Sequence, residues 1–174
     1  MYSAKIQLNI STRARSRCLS NKPKQTKAKQ NKPDITMAAT NTAASTLAAL
    51  QEHLNQQHPS IKLITPSSPD FEGVRACFIK KDDAVPLAIA RPQNAADVQA
   101  LVRYCTQHGV DFVVRAGGHD CAGRSQVGGV LTIDVRDIKH VLVSDDEKTA
   151  RVGGGVVFRD LTKELDARGL ITPV

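Results

Sequence analysis

The residues best placed to do chemistry in this 174-residue chain sit in one run, Arg115-Ala116-Gly117-Gly118-His119-Asp120, and its continuation to Gly129. Residues 115–129 hold five glycines. Adjacent glycines open backbone angles closed to other residues and let a ligand approach the main chain. Successive N–H groups in such a loop form a concave donor set for phosphate oxygens. Arg115 is expected to add a fixed positive charge beside that set. The chemistry is therefore anion binding, most naturally of a pyrophosphate. Other nucleotide and hydrolase motifs do not match. There is no G-x-x-x-x-G-K-[ST] and no G-x-G-x-x-G. The run G-R-S-Q-V-G is one residue too long for a nucleophile elbow, which makes Ser125 a poor hydrolase nucleophile. His119 and Cys121 can both touch a metal, yet no second ligand pair accompanies them, and no metal site is expected. On spacing alone, His119 reads as a loop histidine bonded to backbone, and the glycines as a tight connection.

The flanking elements must hold this loop. Leu87–Ala90 reads as a short buried strand ending at Arg91-Pro92. Asn94 is a good N-cap with Asp97 three residues later, and Val98, Leu101, Val102 and Cys105 follow helical spacing to Gly109, a left-handed terminator. Val110–Val114 is apolar and β-branched, so a second buried strand delivers the loop, and Val130–Val135 returns from it as a third. His140–Val143 and Thr149–Val152 read as two strands around the acidic turn 144–147. Gly153-Gly154-Gly155 leads into a helix bearing Val157, Leu161 and Leu165 and closed by Gly169, and Leu170-Ile171 starts another strand. Upstream, 46–57 reads as a helix with Leu47, Leu50 and Leu54 on one face, and 60–86 as a loop with a short strand or turn in V-R-A-C-F-I.

Composition bounds the rest. Hydrophobic residues make up 41% and charged residues 24%, enough for one ordinary domain with a tail. No apolar run approaches the roughly 20 residues that span a bilayer, so no membrane partner is expected. The four cysteines, Cys18, Cys77, Cys105 and Cys121, form no C-x-x-C pair, against a zinc ribbon or redox dithiol. The net charge of +7 is uneven: nine of 24 basic and one of 17 acidic residues fall in 1–36, leaving fifteen basic against sixteen acidic beyond. Residues 1–36 therefore read as a disordered basic arm on a near-neutral domain. The arm lacks a secretory apolar block, which favours the cytoplasm, while its acid-free Arg/Ser-bearing start resembles a mitochondrial transit peptide. Met37 opens M-A-A-T-N-T-A-A-S-T-L like an ordinary protein start, so the arm also reads as an upstream extension.

Four segments, P-L-A-I-A-R-P-Q-N-A-A-D-V-Q-A-L-V, F-V-V-R-A-G-G-H-D, L-T-I-D-V-R-D-I-K-H-V and A-R-V-G-G-G-V-V-F-R-D-L, follow in order over residues 80–174. They resemble the FAD-binding domain of the vanillyl-alcohol oxidase/para-cresol methylhydroxylase superfamily, in its berberine bridge enzyme-like branch. The combination of R-x-G-G-H with a downstream D-x-x-x-I is the specific part. The resemblance implies an α+β chain, the first part of a two-subdomain FAD-binding fold built from small mixed sheets with flanking helices. Residues 37–80 would be a helical leader and loop, and 81–174 the FAD-binding domain. It implies that Arg115, Ala116, Gly117, Gly118 and Asp120 wrap the pyrophosphate, that Gly123 and Ser125 continue along the cofactor, and that Gly153, Gly154 and Gly155 form the next glycine turn beside it. It implies that His119 links covalently to the flavin's C8 methyl group. The second flavin-linking cysteine of bicovalent members would fall beyond Val174, and none of the four cysteines matches it. The second glycine turn and the substrate domain with its catalytic base are likewise missing, so the resemblance implies a front part cut mid-domain and names no catalytic residue here.

Three functional classes follow. The first is an FAD-dependent oxidoreductase taking a hydride from an alcohol, sugar or similar small-molecule carbon centre and passing it to oxygen. The second is a non-catalytic truncated product or binding remnant. The third is nucleic-acid binding by the arm, which has no aromatic residue but Tyr2 for stacking and so carries no sequence preference. Any such binding is weak and salt-sensitive, and a chain lacking residues 1–36 is expected to lose it entirely in a filter-binding titration.

Overall fold

The computed structural model describes residues 36–172 apart from 80 and 82, with side chains described from residue 42. The basic arm expected over 1–36 lies outside the described residues except for Thr36. A compact unit spans Asp34–Val174. Helix α1 (Thr36–Gln57) begins ten residues before the expected 46–57, because the Ala-rich run ahead of Leu47 continues the helix at little cost in side-chain entropy. Next come β1 (Lys62–Ile64), α2 (Phe71–Arg75) and β2 (Ala88–Arg91). The apolar V-R-A-C-F-I is therefore not a strand: its first two residues end α2, and the strand of this region is S-I-K-L-I-T's centre. Then follow α3 (Ala95–His108), β3 (Phe112–Arg115), β4 (Leu131–Asp134), a 3-10 turn (Val135–Asp137), the hairpin β5 (Val141–Val143) and β6 (Ala150–Val152), and α4 (Phe158–Asp166). No helix of the described residues is long and apolar enough to cross a membrane.

The main sheet has the order β1-β2-β4-β3, with β1 antiparallel to β2 and with β2, β4 and β3 parallel. The strand–helix–strand unit expected over 87–114 is present, and α3 carries the chain from β2 past β4 to the sheet edge. Both helix signals hold. Asn94 accepts from the Asp97 amide, and Gly109 sits at φ 63°. Asp97 does more than add charge, since its carboxylate accepts from the Gln93 amide and the Ser60 hydroxyl, pinning the helix start to β1's approach.

The sheet's two faces follow strand alternation. Ala88, Ala90, Leu131 and Ile133 point to one side and pack with Leu50 and Leu54 of α1 and Leu101, Tyr104 and Cys105 of α3. Ile89 points to the other and packs with Ile64 and Phe71. The β3 strand is not the buried strand the sequence suggests. It lies at the sheet edge, and Val114 is 56% exposed. Leu170-Ile171 forms no strand, and Ile171 is 95% exposed; α4 ends near Ala167 with Gly169 at φ 68°.

On the second face, cross-strand neighbours Arg115 and Asp134 form a buried ion pair, 2.6 Å apart and 2% and 0% exposed. Arg136 donates to the same carboxylate through Nη2 at 2.6 Å. Burial pushes the Asp134 carboxyl up, but hydrogen bonds from Arg136 and then Arg115 outweigh it and hold the group below its ordinary 3.8. A carboxylate held low in the fold stabilises fully above the ordinary value and stops doing so as pH falls through the lowered one. Stability measured by urea unfolding is thus expected to fall with acidification below pH 3.8, with Asp134→Asn flattening that limb, and Arg115→Met is expected to cost about 3 kcal/mol at neutral pH.

Candidate functional site

The loop after β3 leaves from the carboxyl ends of parallel strands, where open α/β sheets place their ligands. Arg91, Arg115 and Asp134 end β2, β3 and β4 at that same edge. Arg91 pairs with Asp137 of the 3-10 turn, and Gln93 Nε2 donates to Asp137 at 3.1 Å.

The Arg115 guanidinium is not a free charge beside the loop. It donates to Asp134, to the Val74 carbonyl at 2.8 Å and to the Arg75 carbonyl at 3.0 Å. A five-residue helix leaves its last carbonyls without partners, and Arg115 supplies them, helped by Arg136 Nη2 on Val74 at 2.9 Å. The expectation of a fixed charge at an anion nest is corrected: the charge is spent inside the fold, locking α2 to the sheet.

What the loop presents is backbone. Ala116 packs on the core. Among the described residues the N–H groups of Gly117, Gly118, His119 and Asp120 have no acceptor. Gly118 adopts φ 71°, and a Cβ there would lie 3.4 Å from Cys77 Sγ. Its carbonyl accepts from the Phe78 amide at 3.0 Å. His119 is exposed and stacks on Phe78, with ring centroids 5.5 Å apart and planes at 16°. Among the described residues no backbone group bonds to its imidazole, so the backbone-bonded histidine read from spacing alone is not seen there. The Asp120 carboxylate accepts from the Arg124 side chain at 2.7 Å and from its amide at 2.5 Å, which holds it down at about 2. Asp120 thus closes the loop on itself. Gly123, at φ 68°, lies against the Lys81 side chain, and the Ser125 carbonyl accepts from the Cys77 thiol at 3.9 Å.

The three glycines after β6 divide in role. A Cβ on Gly153 would overlap the Ile138 carbonyl, and one on Gly155 the Val135 carbonyl, while Gly154 faces open space. Gly153 and Gly155 donate to His140 and Ile138, docking the hairpin exit on the 3-10 turn. Gly117 lies beside Val157, two residues beyond Gly155: a Cβ on Gly117 would sit 3.8 Å from Val157 Cγ1. Val157 precedes α4 rather than belonging to it. It also borders a polar cleft of about 350 Å³ lined by Arg91, Arg136, Lys139 and Arg159 and by the carboxylates of Asp137 and Asp160. Among the described residues no group of three or more His, Cys, Asp or Glu side chains could hold a metal ion.

Sequence reasoning missed Cys77, Phe78 and Gln126. Gln126 is buried and donates to the Lys81 and Ala84 carbonyls, fastening the far end of the loop. Their contacts span from about forty residues along the chain, so no local spacing marks them. Asp134 stood in a quoted motif without a role.

Residues 86–174 match the family described as FAD binding domain. An FAD-linked oxidoreductase of Gibberella zeae, aurO, is 40% identical over 114 residues, which are 66% of this chain and 22% of that protein. The (R)-6-hydroxynicotine oxidase of Paenarthrobacter nicotinovorans is 32% identical, over 63% of this chain and 24% of the relative. The chain therefore spans under a quarter of the length of these relatives. Among solved structures, 6-hydroxy-D-nicotine oxidase from Arthrobacter nicotinovorans superposes with a TM-score of 0.59 at 31% identity, covering 62% of this chain and 24% of that one. Physcomitrella patens BBE-like 1 gives 0.61 at 26% identity, over 68% and 26%.

Gly118 holds a left-handed backbone angle, φ 71°, so Gly118→Ala is expected to cost about 1–2 kcal/mol, read as a lowered urea midpoint.

Proposed function

The chain belongs to the FAD binding domain family that its residues 86–174 match, and from that membership we propose that it contributes the pyrophosphate-binding part of a flavin-dependent oxidoreductase. The observation that carries the reading is the run of amides from Gly117 to Asp120, which have no acceptor among the described residues and of which only that of Gly118 belongs to a buried residue, at the carboxyl end of a parallel strand. Diphosphate oxygens need several convergent donors at short range, and a glycine-bearing turn offers them without side chains in the way. The residues present therefore fit FAD. Gly123 and Ser125 extend the wall, and Gly153, Gly154 and Gly155 shape the neighbouring one beside Val157. Residues 37–80 are the leader packed against this unit, and 81–174 the FAD-binding part.

His119 is the covalent attachment point in this proposal. It is exposed on the loop, and no described residue bonds to its imidazole nitrogens. Bound FAD supplies a two-electron acceptor for a hydride from a small-molecule alcohol, sugar or similar carbon centre, with oxygen as the final acceptor. The chain's own contribution is to hold the cofactor by backbone dipoles whose positions Arg115 and Asp134 fix from below. That the relatives are oxidoreductases and oxidases supports this reading.

The full chain is expected to quench FAD fluorescence on titration and to retain yellow colour through acid precipitation. His119→Ala is expected to keep the quenching and lose the acid-stable colour. A chain that does neither at saturating FAD overturns the proposal.

A further inference from the structure

The stack between Phe78 and His119 points beyond cofactor binding. Phe78 is 67% exposed, and its ring meets the imidazole of His119 rather than the core. It is not loosely placed. The guanidinium of Arg115 holds the Val74 and Arg75 carbonyls, Cys77 lies against Gly118, and the Phe78 amide donates to the Gly118 carbonyl. Three contacts thus lock segment 74–78 to the loop, and the Phe78 ring comes to lie nearly parallel to the imidazole. On another flank, His119 Cδ2 lies 3.2 Å from where a Cβ of Gly117 would be. An exposed histidine normally samples several rotamers. This one is bordered by an aromatic face and by bare backbone.

We propose that Phe78 is a positioning residue that fixes the rotamer of the His119 imidazole for covalent attachment of the flavin. The inference rests on the FAD reading above. The attachment forms one bond, from an imidazole nitrogen to the C8 methyl carbon. The imidazole N–H and one methyl C–H are lost; their two electrons and two protons pass to the flavin ring and then to dioxygen, which leaves as hydrogen peroxide. A nitrogen held in one place meets that carbon more often than one that swings.

The test uses the full chain as Phe78→Leu, Phe78→Tyr and His119→Ala, each incubated aerobically with FAD. Phe78→Leu is expected to slow acid-stable flavin formation about three- to tenfold, the range an aromatic pair supplies, with unchanged noncovalent FAD affinity and unfolding midpoint. Phe78→Tyr, which keeps the ring, is expected to restore the rate. In the FAD-free chain, the His119 ring protons are expected to move downfield in Phe78→Leu as the ring current is lost. Wild-type rates in Phe78→Leu beside a dead His119→Ala overturn the positioning role and leave the FAD reading standing. Unmoved His119 resonances overturn it as well. A wild-type chain that binds FAD but forms no acid-stable flavin overturns the covalent reading and this role with it.

Discussion

Removing two charges from water costs several kcal/mol per ion, and the Arg115–Asp134 pair repays that only because nearly every polar atom around it has a partner. Asp134 gathers Arg115 and Arg136; Arg115 in turn gathers the ends of α2. The geometry is narrow because the two residues are direct cross-strand neighbours at the carboxyl ends of β3 and β4. The pair therefore fixes three things at once: the register of the sheet edge, the seat of α2, and the point at which the glycine loop departs. The last polar atom, Arg115 Nε, is left buried without a partner.

With its arginine withdrawn, the loop has only main-chain dipoles to offer the proposed diphosphate. Main-chain N–H groups cannot swing away as a lysine head can, so their usefulness depends on how rigidly the loop is held. Asp120 with Arg124 braces the near turn, Gln126 the far end, and Cys77 and the Phe78 amide the underside. The exposed surface is thus the outer skin of a braced structure, in keeping with function carried on loops set by a firm scaffold.

How much of this the sequence discloses depends on how local the cause is. The α3 boundaries were legible because Asn94 and Gly109 act on their own neighbours. The placement of β2 and β4 was legible because both are short apolar runs buried on two faces. By contrast, β3 has the same composition but an edge position, and an apolar run cannot report how many neighbours it will have. The five-residue α2 escaped notice because a single turn has little periodicity and depends on Arg115 for its end. R-x-G-G-H and the downstream D-x-x-x-I stood out as a combination, and the structure supplies the physical reason: the arginine of one and the aspartate of the other are the buried pair, while Ile138 packs on the core. The glycine loop stood out in the sequence, but its arginine was assigned outward when it points inward.

At Gly153 and Gly155 the smallest possible addition, a methyl, would coincide with a carbonyl oxygen of the preceding turn. Those sites accept one letter of the alphabet for reasons of masonry, and that requirement would persist in a descendant that had abandoned its prosthetic group altogether. A glycine string near such a group is accordingly an ambiguous witness: the same spelling records where two walls touch and where a guest is admitted, and only Gly154 of this trio is free to testify to the second.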